Sequence, residues 1–205
     1  MLPFADVDWL WQLDKDVFRT IHVGLHRDWL DPIFWVISSS GLGYVQALVV
    51  ISLLKFERAK HYVPALLWSL AAVALLTPLA KRLAPRMRPS NMLGVSQQEE
   101  FYGWSFPSGH TMSSFALAVM LVLLLRGTAK AWIGWNALIW AFFVGVARIY
   151  RGVHWPSDVF AGAAMGAFAA CAVYLALSHL WRGLPDREPS VDDRGPVSSA
   201  QAGLK

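Results

Sequence analysis

Five long apolar stretches dominate this sequence, and they restrict the fold more than any other feature. They cover roughly residues 31–54, 62–80, 108–125, 131–147 and 157–181. Each approaches or reaches the ~20 apolar residues that a transmembrane helix needs to cross the hydrocarbon core of a bilayer. The composition agrees, since 56% of the 205 residues are hydrophobic and only 16% are charged. The sequence therefore predicts an all-α, polytopic membrane helix bundle of about five spans.

The segments that flank the apolar stretches have a different character. Residues 1–30 contain an amphipathic stretch, in which apolar residues such as Leu10 and Leu13 recur at helical spacing among several charged ones. Its charged residues make this stretch unsuitable for crossing the bilayer, so it predicts a helix that lies at the membrane interface. Residues 31–182 are interpreted as one membrane domain, and the polar residues 183–205 are typical of a disordered tail.

The cationic residues fall into short loops between the spans rather than onto one solvated basic face. With a formal net charge of +4, this distribution favours lipid headgroups or an anionic substrate over nucleic acid. The alternation of spans places the loops at 55–60 and 126–130 on one side of the membrane. The amino terminus, the loop at 81–106 and the turn at 148–156 lie on the other. If the cations of the second side serve a site, the 55–60 loop marks the cytoplasm and the site faces outward.

The turn before the fifth span carries ionisable groups at a membrane boundary, where such groups are expensive and often functional. Arg148 can hold an anion, His154 can attack or carry a proton, and Asp158 can orient the imidazole. Pro156 suits the first position of a new helix, which places Asp158 in its first turn. Taken alone, the same residues fit a charged loop whose side chains extend to water.

A second group of cations stands at the end of the second span, in the pattern Lys81-x6-Arg88-Pro89. Pro85 would clash with the carbonyl of Lys81 in a continuing helix, so the helix is expected to end or bend there. Several cations then project into one small volume. Alone, the pattern fits equally well basic side chains that extend to the membrane interface.

The third group is Phe106-Pro107-Ser108-Gly109-His110, at the start of the third span. Pro107 fits the first helical position. The N–H groups of Ser108, Gly109 and His110 would then point outward as an anion cradle. Gly109 has no side chain to block a close phosphate, and His110 could protonate a leaving oxygen. The alternative is an ordinary helix start with an interfacial histidine.

The alternation of spans brings the three groups to the same side of the membrane. Together they supply cations, a cradle, two histidines and one carboxylate, which are the components of phosphoryl transfer by covalent catalysis. A phosphate oxygen about 4 Å from a cation gains roughly 4 kcal/mol at an effective dielectric of about 20. Several such contacts would offset desolvation and favour the charge-rich transition state.

The combined pattern resembles the three-part signature of the type 2 phosphatidic acid phosphatase (PAP2) family. The matching residues are Lys81-x6-Arg88-Pro89, Pro107-Ser108-Gly109-His110 and Arg148-x5-His154-x3-Asp158. This family also includes bacterial undecaprenyl pyrophosphate and phosphatidylglycerophosphate phosphatases, glucose-6-phosphatase and the vanadium haloperoxidases. The resemblance covers about residues 30 to 181. It departs from the usual pattern at Ala147, where the family has serine, and we expect this change to remove a hydrogen bond rather than the activity.

The resemblance implies a role for each matched residue. His154 is expected to be the nucleophile that forms a phosphohistidine, Asp158 the carboxylate that orients it, and His110 the acid that protonates the leaving group. The residues expected to bind the substrate phosphate are Lys81, Arg88, Ser108, Gly109 and Arg148. No metal or other cofactor is implied, and the sequence offers no cluster of Asp, Glu and His at metal-ligand spacing. The remaining histidines match no motif and are interpreted as interfacial: His22, His26, His61 and His179.

The expected function is that of an integral membrane lipid phosphatase, with its site on the extracytoplasmic face of a bacterial cytoplasmic membrane. The partners implied are a lipid phosphate or pyrophosphate and the bilayer, with no nucleic acid. Undecaprenyl pyrophosphate is the first choice of substrate, and phosphatidylglycerophosphate and phosphatidic acid are the alternatives. A non-catalytic lipid-binding or transport protein is the alternative of another class. Such a protein would be expected to have lost His154 or Asp158, and both are present.

Overall fold

The computed structural model of the protein describes residues 8–91, 95 and 103–180. Within these residues every regular element is a helix, so the predicted all-α class is confirmed. The α-helices of the described part are α1 Asp8–Arg19, α2 Asp31–Ser40, α3 Gly43–Ser52, α4 Val63–Leu83, α5 Gly109–Leu125, α6 Ala131–Tyr150 and α7 Pro156–Leu180. Short 3-10 or π turns extend or join several of them.

Each apolar stretch of the sequence forms helix. Three helices are long and apolar enough to cross a membrane: Lys60–Leu83, Ala131–Tyr150 and Pro156–His179. The first stretch forms two helices, Asp28–Ser40 and Gly43–Lys55, with a bend of 67° between them. Over the described residues this gives three spanning helices, or four with the bent pair as one span. The count falls below the predicted five because α5, with 17 residues, is slightly short.

The bend between α2 and α3 packs directly against the centre of the bundle. A Cβ atom on Gly41 would lie 2.6 Å from Val144 Cγ1 and 3.1 Å from His110 Cβ. The backbone at the bend therefore touches α6 and the first turn of α5, which leaves no space for a side chain. This contact also places Ser38, which is buried near the end of α2, beside the end of α6.

The centre of the bundle is α5, in which Met112, Ala116 and Met120 are fully buried. Two glycines of α7 let the backbones of α7 and α5 come into direct contact. A Cβ atom on Gly162 would lie 2.6 Å from the Ser108 oxygen, and one on Gly166 would lie 2.1 Å from the Met112 oxygen. Small residues at helix contacts are typical of membrane proteins, where van der Waals packing holds helices together. The contact brings the beginning of α7 against the beginning of α5.

Large apolar side chains cover the outside of the bundle. Trp68 and Leu75 on α4, and Phe160 and Phe168 on α7, are all exposed. In water such a surface would be an aggregation liability, whereas in a bilayer these side chains face hydrocarbon. The outer surface therefore agrees with a membrane location.

The helix α1 lies across the end of the bundle at which α6 finishes and α7 begins. Phe18 is buried there, with its ring centroid 5.1 Å from that of Trp155. The outer face of α1 exposes Trp9, as a helix at a membrane interface would. His22 was expected at the interface and is instead buried, with Nδ1 2.7 Å from the Tyr150 carbonyl oxygen. The expectation was wrong because α1 and the turn after it pack onto the bundle.

The predicted polar tail, residues 183–205, lies outside the described residues, as do residues 92–94 and 96–102 of the connection between α4 and α5. The division of the chain at residues 30 and 182 stays a prediction.

Candidate active site

The three motif groups of the sequence meet at the end of the bundle that α1 covers. Their side chains come from the end of α4 and the segment after it, the first turn of α5, the last turn of α6, and the turn that leads into α7. In that order the residues are Lys81, Arg88, His110, Arg148, His154 and Asp158. Four of these groups, Lys81, Arg88, Arg148 and His154, act electrostatically on His110. Packing of distant segments has thus placed the predicted catalytic and cationic residues in one volume.

His154 is buried in the turn between α6 and α7. Its Nδ1 lies 3.4 Å from Asp158 Oδ2 and 3.4 Å from Ser105 Oγ. Its Nε2 lies 3.2 Å from Arg88 Nη1. With Nδ1 facing a carboxylate and a hydroxyl, and Nε2 facing a guanidinium donor, the tautomer that fits carries its proton on Nδ1. The lone pair of Nε2 then points toward the cationic side of the site.

Local sequence explains how this turn forms. α6 ends at Tyr150, and Gly152 follows with a φ of 73°, a left-handed conformation that favours glycine. α7 begins at Pro156, as predicted. Asp158 in the first turn accepts a hydrogen bond from the Trp155 backbone N–H at 3.0 Å, which caps the helix. The Asp158 carboxylate therefore both faces His154 and caps α7, the helix to which Asp158 belongs.

Lys81 and Arg88, the two cations of the Lys81-x6-Arg88-Pro89 group, are held by backbone carbonyl groups. Arg88 is buried and donates to the carbonyl oxygens of Gly103, Trp104 and Val153 at 3.1, 3.2 and 2.9 Å. Lys81 Nζ donates to the Trp104 oxygen at 2.6 Å. α4 ends at Leu83, so the predicted end of the helix before Pro85 is confirmed. The carbonyl oxygens hold both cations in place, and a carbonyl group carries no net charge.

Arg148 is almost completely buried in the last turn of α6. Its Nη1 donates a short hydrogen bond to Ser38 Oγ, from the helix before the bend. The sequence pattern gave no signal for Ser38 as a partner of Arg148, because 110 residues separate them. Ala147, which stands where the family has serine, is fully buried.

The predicted anion cradle at the start of α5 differs from what the structure shows. The helix begins at Gly109, with Ser108 as its N-cap, so Pro107 does not occupy the first helical position. The N–H of Ser108 donates to the Asp158 backbone oxygen at 3.1 Å, and Ser108 Oγ lies 2.9 Å from Thr111 Oγ1. The prediction of a phosphate-facing N–H was therefore wrong for Ser108, since the close α5–α7 contact uses that donor.

Two residues that sequence reasoning missed contact Asp158 directly. Ser105 is fully buried and donates a short hydrogen bond from its Oγ to Asp158 Oδ2. Arg86 Nη1 donates to Asp158 Oδ1 at 2.7 Å. Arg86 stands inside the Lys81–Arg88 stretch, so its charge was visible, whereas nothing in the sequence distinguished Ser105 from any other loop serine.

The surroundings of His154 lower its pKa to about 3, mainly because burial penalises the charged imidazolium. The hydrogen bond with Asp158 acts in the opposite direction, while the charges of Arg148 and Arg88 lower the pKa further. The imidazole is therefore neutral at physiological pH, which is the form that can attack an electrophile.

One group among the described residues could hold a metal ion. The ligand atoms of His26, Asp28 and Asp31 lie within 4.8 Å of one another. This corrects the statement that the chain offers no such cluster. The three residues are at least partly exposed, and Asp31 accepts a hydrogen bond from the Tyr150 hydroxyl at 2.7 Å. They stand beside Tyr150 and supply no ligand from the groups around His154.

The comparisons with known proteins agree with this geometry. A family model described as the PAP2 superfamily matches residues 62–182. The chain belongs to the PAP2 superfamily. That match contains all three motifs and excludes α1, α2 and α3.

Individual relatives in the PAP2 superfamily carry names of lipid-modifying enzymes. The chain is 33% identical to lipid A 4'-phosphatase of Bacteroides thetaiotaomicron, over 57% of this chain and 52% of that protein. It is 30% identical to undecaprenyl-diphosphatase of Sulfolobus acidocaldarius, over 68% of this chain and 66% of that protein. The chain thus matches about half the length of the first relative and about two thirds of the length of the second.

A solved structure extends the likeness to the fold. LpxE of Aquifex aeolicus superimposes with a TM-score of 0.69 at 30% sequence identity, covering 80% of this chain and 95% of that chain. With the apolar helices and their lipid-facing surface, this PAP2 membership identifies the chain as an integral membrane protein.

The pKa of His154 leads to a prediction about stability. Because it is about 3 in the folded protein against an ordinary 6.5, the unfolded chain binds one more proton between these values. The unfolding free energy then falls by about 1.4 kcal/mol for each pH unit below about 6.5. In detergent, the melting temperature should fall more steeply between about pH 7 and about pH 4 for wild type than for His154→Gln.

His61, which is exposed on the opposite side of the bundle, provides the matched control. His61→Gln should follow the wild-type pH dependence. Parallel curves for wild type and His154→Gln would contradict the expected protonation state of the buried imidazole.

Proposed function

We propose that the protein is a lipid phosphatase in which His154 attacks phosphorus to form a phosphohistidine. The observation that carries this proposal is the setting of the His154 imidazole. It is buried and neutral, with Nδ1 facing Asp158 and Ser105 and Nε2 facing Arg88 at 3.2 Å. The proposed nucleophile therefore has an orienting carboxylate beside one ring nitrogen and a cation that can bind phosphate beside the other.

In the first half of the proposed reaction, a phosphate group binds between Lys81, Arg88 and Arg148. The lone pair of His154 Nε2 forms the N–P bond, and the P–O bond to the lipid breaks. Arg88 then exchanges its hydrogen bond with Nε2 for one with a phosphoryl oxygen, where charge develops. His110, which takes up a proton when the dianionic phosphate binds beside it, donates that proton to the leaving oxygen. Asp158 stabilises the positive imidazole of His154.

In the second half, a water oxygen attacks the phosphorus of the phosphohistidine and the N–P bond breaks. His110, now neutral, takes the proton of that water, so the acid of the first step is the base of the second. Inorganic phosphate leaves, and His154 returns to its neutral form. No step consumes a co-reactant other than water.

An apolar cavity supports a lipid as the carrier of the phosphate. It has a volume of about 400 Å³, lies between the α2–α3 bend, α4 and α5, and reaches His110. Its walls are mostly aliphatic or small, and they include Gly41, Ala47, Leu67, Leu70, Ala74 and Thr77. Because His110 is the proposed acid for the leaving group, an apolar leaving group at this position is consistent with the mechanism.

Two lipid classes are supported equally as the substrate. Undecaprenyl pyrophosphate was the first choice from the sequence, and a relative named undecaprenyl-diphosphatase supports it. A relative named lipid A 4'-phosphatase supports a lipid A phosphate to the same degree. The chemistry that they share is a phosphate monoester or diphosphate on a lipid, and this is the substrate class that we propose. Phosphatidylglycerophosphate and phosphatidic acid belong to the same class.

The rival proposal is a protein that binds or transports lipid phosphates without reacting with them. Such a protein needs the cations and has no use for a neutral, buried imidazole beside a carboxylate. The arrangement around His154 therefore favours catalysis.

The assignment of roles predicts how three variants behave. His154→Ala should abolish phosphoenzyme and turnover. Asp158→Asn should lower kcat per folded protein by about 10⁴-fold, because an orienting carboxylate sets tautomer and charge. His110→Ala should slow the reaction mainly for leaving groups of high pKa, so an aryl phosphate should partly restore its activity.

The measurement is acid-labile label on the protein after brief exposure to radiolabelled substrate, alongside turnover. A labelled phosphoenzyme in His154→Ala would show that the nucleophile is wrong. Equal restoration of both histidine variants by an aryl phosphate would show that the acid is wrong.

A substrate panel tests the class of lipid and the proposed independence from metals. Purified protein should release phosphate from undecaprenyl pyrophosphate, lipid A or both, more readily than from soluble glucose 6-phosphate. Release should persist in EDTA and be blocked by vanadate, which imitates a five-coordinate phosphoryl group. Loss of activity in chelator with recovery in magnesium would contradict the metal-free mechanism and direct attention to His26, Asp28 and Asp31.

We further propose that the site faces away from the cytoplasm, in a bacterial cytoplasmic membrane. The support is the basic loop at 55–60, counted without the cations of the site. In a Cys171→Ser background, an impermeant thiol reagent added to intact cells should label Gln98→Cys and not Arg58→Cys. Labelling of Arg58→Cys alone would reverse the orientation.

A further inference from the structure

A carboxylate of α1 reaches the end of the bundle at which Asp158 lies. Asp14 is 6% exposed, which is unusual for an aspartate on an amphipathic helix. Its Oδ1 accepts a hydrogen bond from the Ser157 N–H at 2.8 Å, and its Oδ2 accepts one from Ser157 Oγ at 2.6 Å. Asp14 is therefore fixed to the first turn of α7, one residue before Asp158.

Arg86 joins Asp14 to Asp158. Its Nη2 donates to Asp14 Oδ2 at 2.5 Å, and its Nη1 donates to Asp158 Oδ1 at 2.7 Å. Nη1 also donates to Ser157 Oγ at 2.6 Å. The two terminal nitrogens of one planar guanidinium thus hold two carboxylates at once, a geometry that lysine cannot reproduce.

Two aromatic rings restrict where the guanidinium can lie. The Arg86 guanidinium carbon is 5.2 Å from the Trp11 ring and 5.4 Å from the Trp155 ring. The two rings contact each other at 4.8 Å between centroids. Trp11 belongs to α1, so the helix that supplies Asp14 also supplies one of the two rings around Arg86.

We infer that Asp14 is a positioning residue for the reaction at His154, acting through Arg86 on Asp158. Asp158 Oδ2 faces His154, Ser105 and the Trp155 N–H, so Oδ1 is the oxygen by which Arg86 fixes the carboxylate. Asp14 holds Arg86 in place for that contact. The inference rests on the proposed phosphatase function, and it gives α1 a role although the family match begins only at residue 62.

Kinetics of Asp14→Asn test the inference, with an aryl phosphate in detergent micelles as the substrate. The asparagine oxygen can still accept from the Ser157 N–H, but its NH2 group would face the Arg86 donor and displace it. We expect kcat per folded protein to fall by about 10- to 100-fold, because small misplacements of reacting groups cost this much. KM should change by less than about 3-fold, because Asp14 touches none of the proposed phosphate-binding residues.

Asp16 provides the matched control, since it lies on the same helix and is exposed. Asp16→Asn should retain the wild-type kcat. If Asp14 only attached α1 to the bundle, Asp14→Asn would lower the yield of folded protein or its melting temperature and leave kcat per folded protein unchanged. That result would overturn the inference.

A double variant tests whether Asp14 acts through Arg86. Arg86→Lys should lower kcat by itself, and adding Asp14→Asn should change it by less than about 2-fold, because the intermediary is already lost. Independent, multiplicative effects would overturn the inference. If Asp14→Asn gives no folded protein, Asp14→Glu keeps the charge and displaces the carboxylate. A wild-type kcat in that variant would overturn the inference as well.

The controls separate this inference from the function on which it rests. A wild-type protein that releases no phosphate from the aryl phosphate or any lipid of the panel would overturn the proposed function, and the inference with it. An active wild type with an equally active, folded Asp14→Asn variant would overturn the inference alone.

Discussion

A carboxylate with no solvent exposure must find all its hydrogen-bond donors inside the protein, and Asp158 is such a group. Ser105 and the Trp155 N–H donate to one oxygen, and Arg86 donates to the other. The backbone oxygen of Asp158 accepts from the Ser108 N–H. These partners come from the connection before α5, the turn before α7, the segment after α4 and the N-cap of α5. Satisfying one buried charge therefore aligns four segments, and the surroundings of His154 depend on that alignment.

The balance of charge in the site follows from the same arrangement. Asp158 pairs with Arg86, so its negative charge is largely compensated before any substrate binds. Lys81 and Arg88 are held by carbonyl dipoles, and Arg148 donates to a serine hydroxyl. These contacts orient three cations in a partly desolvated volume. A phosphate group with two negative charges is the kind of ligand that such a group of oriented cations favours.

Much of the fold, and which motif residues come together in the candidate site, could be predicted because apolar runs and motifs are local patterns. Apolar runs show helices directly, and proline at position 156 marks a helix start by its fixed φ. Residues joined only by tertiary contacts had no such signal. Asp14 had the pattern of a solvated residue on an amphipathic helix, and Ser38 that of a small residue in a span. The sequence placed the start of α5 at Pro107, whereas the helix begins at Gly109. The Ser108 N–H, predicted to face a phosphate, donates instead to the Asp158 backbone oxygen of α7, a tertiary contact that periodicity does not encode.

The length of α5 has a consequence for where a phosphate must go. Its 17 residues rise about 26 Å, whereas the hydrocarbon core of a bilayer is about 30 Å thick. An α5 that runs along the membrane normal, with its carboxyl end and Arg126 at one boundary of the hydrocarbon core, would have its first turn about 4 Å inside the other boundary. His110 would then lie deeper than the headgroup layer. Under the proposed function, a lipid phosphate would leave part of its hydration layer to reach His110, and the cations of the site would replace the water that it gives up.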